Sequence, residues 1–153
     1  CAACHGEQAL GNDEKKIPAI AGLPRQHYGR QIDQFQKQLR SLGQENPNQA
    51  AMHRMAEGLT DENIAALAEY LSTLAPLVPK PAEKGDAANG KIVFSELCAQ
   101  CHGAKAEGIE AREAPPLHLF QSWYIVDQVR AFKKFERSGD PDRGASTWMH
   151  SVV

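Results

Sequence analysis

An all-α fold built as two tandem domains is predicted by three features of this 153-residue chain. Apolar residues recur at helical spacing in several segments, and no stretch alternates convincingly as a strand. A shift of 97 positions lays the second half on the first without a gap. The pentapeptide Cys1-Ala2-Ala3-Cys4-His5 opens the chain and returns as Cys98-Ala99-Gln100-Cys101-His102, and together the two copies use all 4 cysteines.

Each pentapeptide is a Cys-x-x-Cys-His run, the pattern of a c-type haem attachment site. Two thiols three positions apart can each bond one vinyl group of a porphyrin, and the adjacent imidazole suits iron as an axial ligand. A thioredoxin-like thiol pair and half of a zinc site also use Cys-x-x-Cys. Duplication with the trailing histidine in both copies favours haem over either, and leaves no thiol for a disulfide framework. Two covalently attached haem c groups are therefore expected, one wrapped by each domain. Cys1, Cys4, Cys98 and Cys101 are the attachment points, with His5 and His102 on the irons.

Composition agrees. A domain of roughly 75 residues struggles to assemble a core alone, and only 7% of this chain is aromatic; a bound porphyrin offsets both shortages. The formal charge is −2, with 7 basic against 9 acidic residues in 1–78 and 10 against 10 in 79–153. Nothing in that balance suggests nucleic acid or an anionic membrane as a partner. No apolar run approaches membrane-spanning length, and no signal peptide is present. Because the chain begins on a haem-binding cysteine, a leader is expected to have been removed or to lie outside the numbering.

Taken in order, the first copy continues from its pentapeptide through a polar stretch with a loop signal at Gly11-Asn12-Asp13. An irregular apolar segment, Pro18 to Pro24, follows. From Arg25 to Arg40 the residues Tyr28, Ile32, Phe35 and Leu39 mark one face of a helix, which Gly43 to Asn48, with Pro47, breaks. The clearest helix starts at Leu59: Thr60 is a good N-cap, Asp61 and Glu62 suit the positive end of the dipole, and Leu59 with Ile64 can form a hydrophobic staple. Ile64, Leu67, Ala68 and Leu71 form its buried stripe, and Pro76 and Pro79 end it before a semi-rigid linker. Gly85 to Leu97 reads as a helix running into the second pentapeptide. Ile125, Val129 and Phe132 then repeat the face of Tyr28, Ile32 and Phe35, and Asp140-Pro141-Asp142-Arg143-Gly144 is a turn-rich loop before Met149. The expected domains are 1–78 and 85–153 with a linker at 79–84. The first lacks the lead-in helix of the second, and the second lacks a counterpart of the helix after Leu59, so the chain reads as a window on a longer protein.

The repeat also selects the second axial ligands. Met52 and Met55 are both available in the first copy; Met52 falls on Met149, whereas Met55 falls on Val152. Met52 and Met149 are the expected ligands, each 47 residues past its haem histidine. A methionine there closes the iron to exchange and raises its potential. His53 and His150 coincide too, so bis-histidine ligation stays open, as does a simple packing role for the methionines. His27 and His118 read as ordinary. Pro18 and Pro115 coincide, and a carbonyl near them can accept the ring N–H of His5 or His102 or merely shape a loop. Lys133, Lys134 and Arg137 form a docking patch for an acidic partner or a solvated helix face.

With Cys-x-x-Cys-His-Gly, Pro-x-Ile or Pro-x-Leu, a Gln and Phe on one helix face, and Met before Leu-Thr-Asp-Glu in place, the chain resembles the dihaem cytochromes c of the cytochrome c4 type. The resemblance implies two tandem cytochrome c domains related by a pseudo-twofold axis, a periplasmic location and one-electron transfer. It implies that the Pro18 and Pro115 carbonyls hold the haem histidines, and that Gly90 and Phe94 lie on a helix crossing the domain's last helix. The expected role is an electron carrier, not an enzyme, between a quinol-oxidising complex or dehydrogenase and a terminal oxidase. Any membrane contact would come through a partner or an anchor outside the chain. Two other functions stay open: a cytochrome subunit or domain of a larger redox enzyme, and a catalytic dihaem enzyme such as a thiosulfate dehydrogenase.

Overall fold

The structure is a computed structural model, and it describes residues 1–40, 46–80, 84–137 and 145–153. Gly43, the centre of the linker and the Asp140–Gly144 loop fall outside the described residues. Eight α-helices are found among the described residues. The first half runs α1 (Ala2–His5), α2 (Arg25–Gln36), α3 (Pro47–Glu57) and α4 (Asp61–Thr73). The second runs α5 (Ala87–Val93), a π-helical turn (Phe94–Cys98), α6 (Ala99–His102), α7 (Ser122–Lys133) and α8 (Ala145–Val152), with two 3₁₀ turns between α6 and α7. Among the described residues, bridge pairing is limited to Asn12 with Ile17 and, 97 positions on, Ile109 with Ala114.

Local chemistry explains where the helices begin. The Thr60 hydroxyl accepts from Asn63 N at 3.3 Å and starts α4, whose buried residues are Ala68 and Leu71. The Asp86 carboxylate accepts from Ala88 N and Asn89 N at 3.0 Å and starts α5. Pro47, which in the sequence signals a break, occupies the first turn of α3, where its missing N–H is no loss. Asn46 caps that helix by accepting from Asn48 N and Gln49 N.

The helix expected over Arg25–Arg40 stops at Gln36. Gln38 turns left-handed at φ 58°, and Leu39 N donates to Gln34 O at 2.8 Å. Phe135, at the equivalent position, does the same at φ 57°. This turn reverses the chain, so that Arg40 and Arg137 point back toward α2 and α7.

In the first half α2 packs against both α3 and α4. Gly22 N donates to Leu71 O, tying the loop before α2 to α4. Ile92, Val93 and Leu97 on α5 and the turn that follows it, and Val126 and Val129 on α7, are exposed.

The halves share one core. Ala9, Ala21, Leu23, Tyr28, Ala68 and Leu71 of the first half cluster with Phe120 of the second, and Leu117, Leu119, Tyr124 and Ile125 pack on the cluster. Polar contacts cross the same boundary. Ala19 N donates to Gln121 Oε1 at 3.0 Å, and the Trp123 indole donates to Asp13 at 2.7 Å beneath the Lys16 ammonium. At the centre, Gln31 and Gln128 meet Arg40 and Arg137 in a two-by-two arrangement that obeys the 97-residue repeat. These four bonds exchange equivalent partners between the halves.

Candidate haem sites

In each half a single turn of helix presents the pentapeptide. His5 N and Cys4 N donate to Cys1 O, and Gly6 follows at φ 81°, a conformation that favours glycine. Gly103 repeats it at φ 81° after His102. The next glycine closes a loop beneath each histidine: Gly11 N donates to His5 O at 2.9 Å, and Gly108 N to His102 O at 2.7 Å. Both glycines have positive φ, and a Cβ on either would collide with the backbone beside Pro18 or Pro115.

That loop sets the ring orientation. His5 Nδ1 lies 2.9 Å from Pro18 O, and His102 Nδ1 lies 2.9 Å from Pro115 O. A carbonyl only accepts, so Nδ1 carries the proton and the Nε2 lone pair is left for a metal. Burial lowers the pKa of His5, opposed by the bond to Pro18, and so favours the neutral imidazole. Both rings are buried, while the thiols of Cys1 and Cys4 are exposed and those of Cys98 and Cys101 half-buried. Burial raises the Cys98 thiol. A neutral buried imidazole beside two unpaired thiols is the donor set that a covalently bound haem requires, so the residues fit the group.

Met52 lies on α3 and Met149 on α8, both half-buried. Met55 is 62% exposed. His53 Nδ1 donates to Phe35 O at 2.7 Å, and its Nε2 faces the Gln38 amide at 3.1 Å and Glu57 at 3.3 Å. His150 Nδ1 repeats the first bond, to Phe132 O at 2.7 Å, and its ring stacks on Phe135. Both nitrogens of His53 are thus engaged by the protein, which disfavours bis-histidine ligation in the first half.

Other residues fall elsewhere. His118 Nδ1 meets Ala106 O on the surface. His27 is buried against Phe120, and burial, with Arg137, Arg40 and Arg30 nearby, pushes its pKa down to about 3. Arg137 does not belong to a surface patch with Lys133 and Lys134: it is buried at the interface of the halves, over the Phe132 ring. Sequence reasoning missed Arg40 altogether, although Arg40 and Arg137 coincide under the same shift as the cysteines.

The cytochrome c profile matches residues 1–75 and again 87–151. The chain belongs to the cytochrome c family. Two domains of that family make it a dihaem cytochrome of the cytochrome c4 type, with two covalent haem c groups and a role in electron transfer. It is 33% identical over 151 residues to a thiosulfate dehydrogenase electron acceptor of Thiomonas intermedia, covering 92% of this chain and 66% of that protein. It is 31% identical to cytochrome c4 of Thiocapsa roseopersicina, covering 95% of this chain and 77% of that one. The thiosulfate dehydrogenase TsdBA structure from Marichromatium purpuratum superposes with a TM-score of 0.78 at 28% identity, over 100% of this chain and 33% of its own. The chain therefore spans about two thirds of the first of these relatives. Among the described residues no helix is long and apolar enough to cross a membrane.

Proposed function

We propose that this dihaem cytochrome is a periplasmic relay that takes single electrons from a thiosulfate dehydrogenase or similar donor and delivers them to a terminal oxidase or similar acceptor. Cys1 and Cys4 anchor the first haem and Cys98 and Cys101 the second; His5 with Met52 and His102 with Met149 hold the irons. The group supplies a reversible one-electron couple. The chain's own residues orient the imidazoles through Pro18 O and Pro115 O, leave each Nε2 available to the iron and exclude water from both rings. The boundaries 1–78 and 85–153, joined by 79–84, are part of this reading. The observation that carries it is the duplication of the histidine–carbonyl bond at 2.9 Å in both halves, with a half-buried methionine available to each. Catalysis at iron needs a vacant or displaceable sixth position, whereas this reading gives each iron a methionine.

The ligand assignment is tested by near-infrared absorption, where a methionine–iron band for two haems is expected. Met52→Ala opens the first iron to carbon monoxide and leaves the second closed. If Met55→Ala does this instead, Met52 is not the ligand. For the donor, haem reduction is followed after mixing with thiosulfate dehydrogenase and thiosulfate; a rate no faster than with thiosulfate alone removes that donor. A second reading, a domain pair within a larger redox enzyme, is favoured by the match to one third of the TsdBA chain.

A further inference from the structure

The seam between the halves is closed differently on its two sides. On one side three contacts seal it. Gln121 Oε1 accepts from Ala19 N at 3.0 Å, the Trp123 indole donates to Asp13 at 2.7 Å, and the Lys16 ammonium lies over the indole, 5.0 Å from the ring centre. The 97-residue shift names the counterpart of each of these residues on the other side. Gln121 and Ala19 become Pro24 and Pro116, which have neither the side-chain acceptor nor the N–H donor. Trp123 and Asp13 become Gln26 and Glu110, which still meet, through the Gln26 amide. Ile17 becomes the smaller Ala114. Lys16 becomes Glu113, whose carbonyl is reached by Arg30 Nη2 at 3.5 Å.

The smaller side chains leave a gap. Trp123 is half-buried in its place, whereas Gln26 is exposed. Beside Gln26 lies a cleft of about 210 Å³, with Pro24, Ala114, Pro116 and Glu110 among its walls. Arg30 and buried His27 line it as well. This is not the haem cavity: Pro115 is another of its walls, and His102 turns Nδ1 toward Pro115 O and so turns Nε2, the atom for iron, away. The sealed side shows what such a cleft holds. Prolines and an alanine offer apolar walls to a flat ring. Glu110 stands where Asp13 accepts an indole N–H, and Arg30 supplies at the wall a cation of the kind that Lys16 lays over Trp123. An apolar cavity of roughly 150 Å³ takes benzene, so this one has room for the fused rings of an indole. A small anion would be repelled by Glu107 and Glu110, which both line the cleft, and a neutral ring is not. Tryptophan is among the residues that most often anchor a protein interface by filling a pocket.

We propose that this cleft is a docking pocket for a tryptophan side chain of a redox partner, which makes on this side the contact that Trp123 makes within the chain on the other. The proposal rests on the relay function above. The pocket backs the loop whose Pro115 holds His102, so a partner anchored there is brought to the half that carries the second haem.

The test titrates N-acetyltryptophanamide into the full, reduced holoprotein and follows the backbone amide signals by NMR. Gln26, Arg30 and Gly108 should shift together and saturate, while Asp13 and Trp123 stay still. Gln26→Trp fills the cleft from within and should abolish the shifts at Arg30 and Gly108. Glu110→Ala removes the acceptor and should weaken binding roughly tenfold; it carries the test if Gln26→Trp does not accumulate. Electron uptake from thiosulfate dehydrogenase with thiosulfate, and delivery to a terminal oxidase, are then timed for wild type and Gln26→Trp. At least one of the two rates should fall by about an order of magnitude. Absence of a saturable shift at the cleft, or binding that survives Gln26→Trp, overturns the proposal. So does a cleft that takes free indole but excludes N-acetyltryptophanamide, which would hold a small molecule, and so do rates unchanged in both directions. If wild type exchanges electrons with neither protein, the relay reading fails instead, and the titration alone decides the pocket.

Discussion

At the scale of single residues, the geometry of each haem histidine depends on a glycine six positions later. Gly11 lets the loop approach so closely that a Cβ would sit 2.6 Å from both Pro18 C and Ala19 N, at φ +75°. Gly11→Ala combines left-handed strain with backbone overlap, and should cost at least ~1–3 kcal/mol while disturbing the His5–Pro18 bond. Gly29 lies inside α2, where an added methyl would meet nothing within 4 Å. Gly29→Ala should therefore stabilise by roughly 0.5–1 kcal/mol. Thermal denaturation of the two variants checks the pair, and equal melting temperatures would contradict it. By contrast Pro18 acts through its carbonyl, which any residue retains, so the side chain matters less than the loop path.

At the scale of elements, α3 carries Met52 and is tied to α2 by the bonds of Gln36 Nε2 to Ala56 O and of His53 Nδ1 to Phe35 O. It packs on α2 and is started by the Asn46 cap. Asn46→Ala removes an acceptor for two backbone donors and should cost about 1 kcal/mol. On heating, the methionine–iron band of the first haem should then disappear before that of the second; simultaneous loss would show that α3 is held by other means. The helix is hidden in the sequence because Pro47 signals both an interruption and a helix start, and only the Asn46 side chain turning onto Asn48 and Gln49 decides between them. Helix α4 is legible because its cap, acidic first turn and buried stripe all agree.

At the scale of the molecule, the halves are expected to unfold together because they share a core. Phe120 packs against His27 and Tyr124 at the boundary. Phe120→Ala should cost ~3–5 kcal/mol, and calorimetry should show one transition in wild type that divides in the variant. Two transitions already present in wild type would mean that the interface contributes little. The pH response should come partly from His27. Its native pKa is about 3 against 6.5 when free, so between those values the unfolded chain takes a proton that the native one refuses. Stability is therefore lost as pH falls through that window, by up to ~1.4 kcal/mol per pH unit for this one group. His27→Gln should flatten the pH dependence of denaturant unfolding between neutral and mildly acidic conditions by one proton; an unchanged slope would show that His27 takes up its proton in the native state.

The sequence by itself determined the chemistry of this protein. Haem attachment is written in contiguous residues, Cys1 to His5 and Cys98 to His102, because thioether spacing is a local matter. The 97-residue register extended that local signal to the two prolines and named Met52 and Met149 as the proposed second ligands. The interface was beyond it. Arg40 and Arg137 look like ordinary charged residues near a helix end until the left-handed turns at Gln38 and Phe135 fold them inward. Whether a cation is solvated or buried depends on which surfaces meet, and that is a property of the packed halves together, set by contacts such as Arg40 with Gln128 that lie 88 residues apart in the chain.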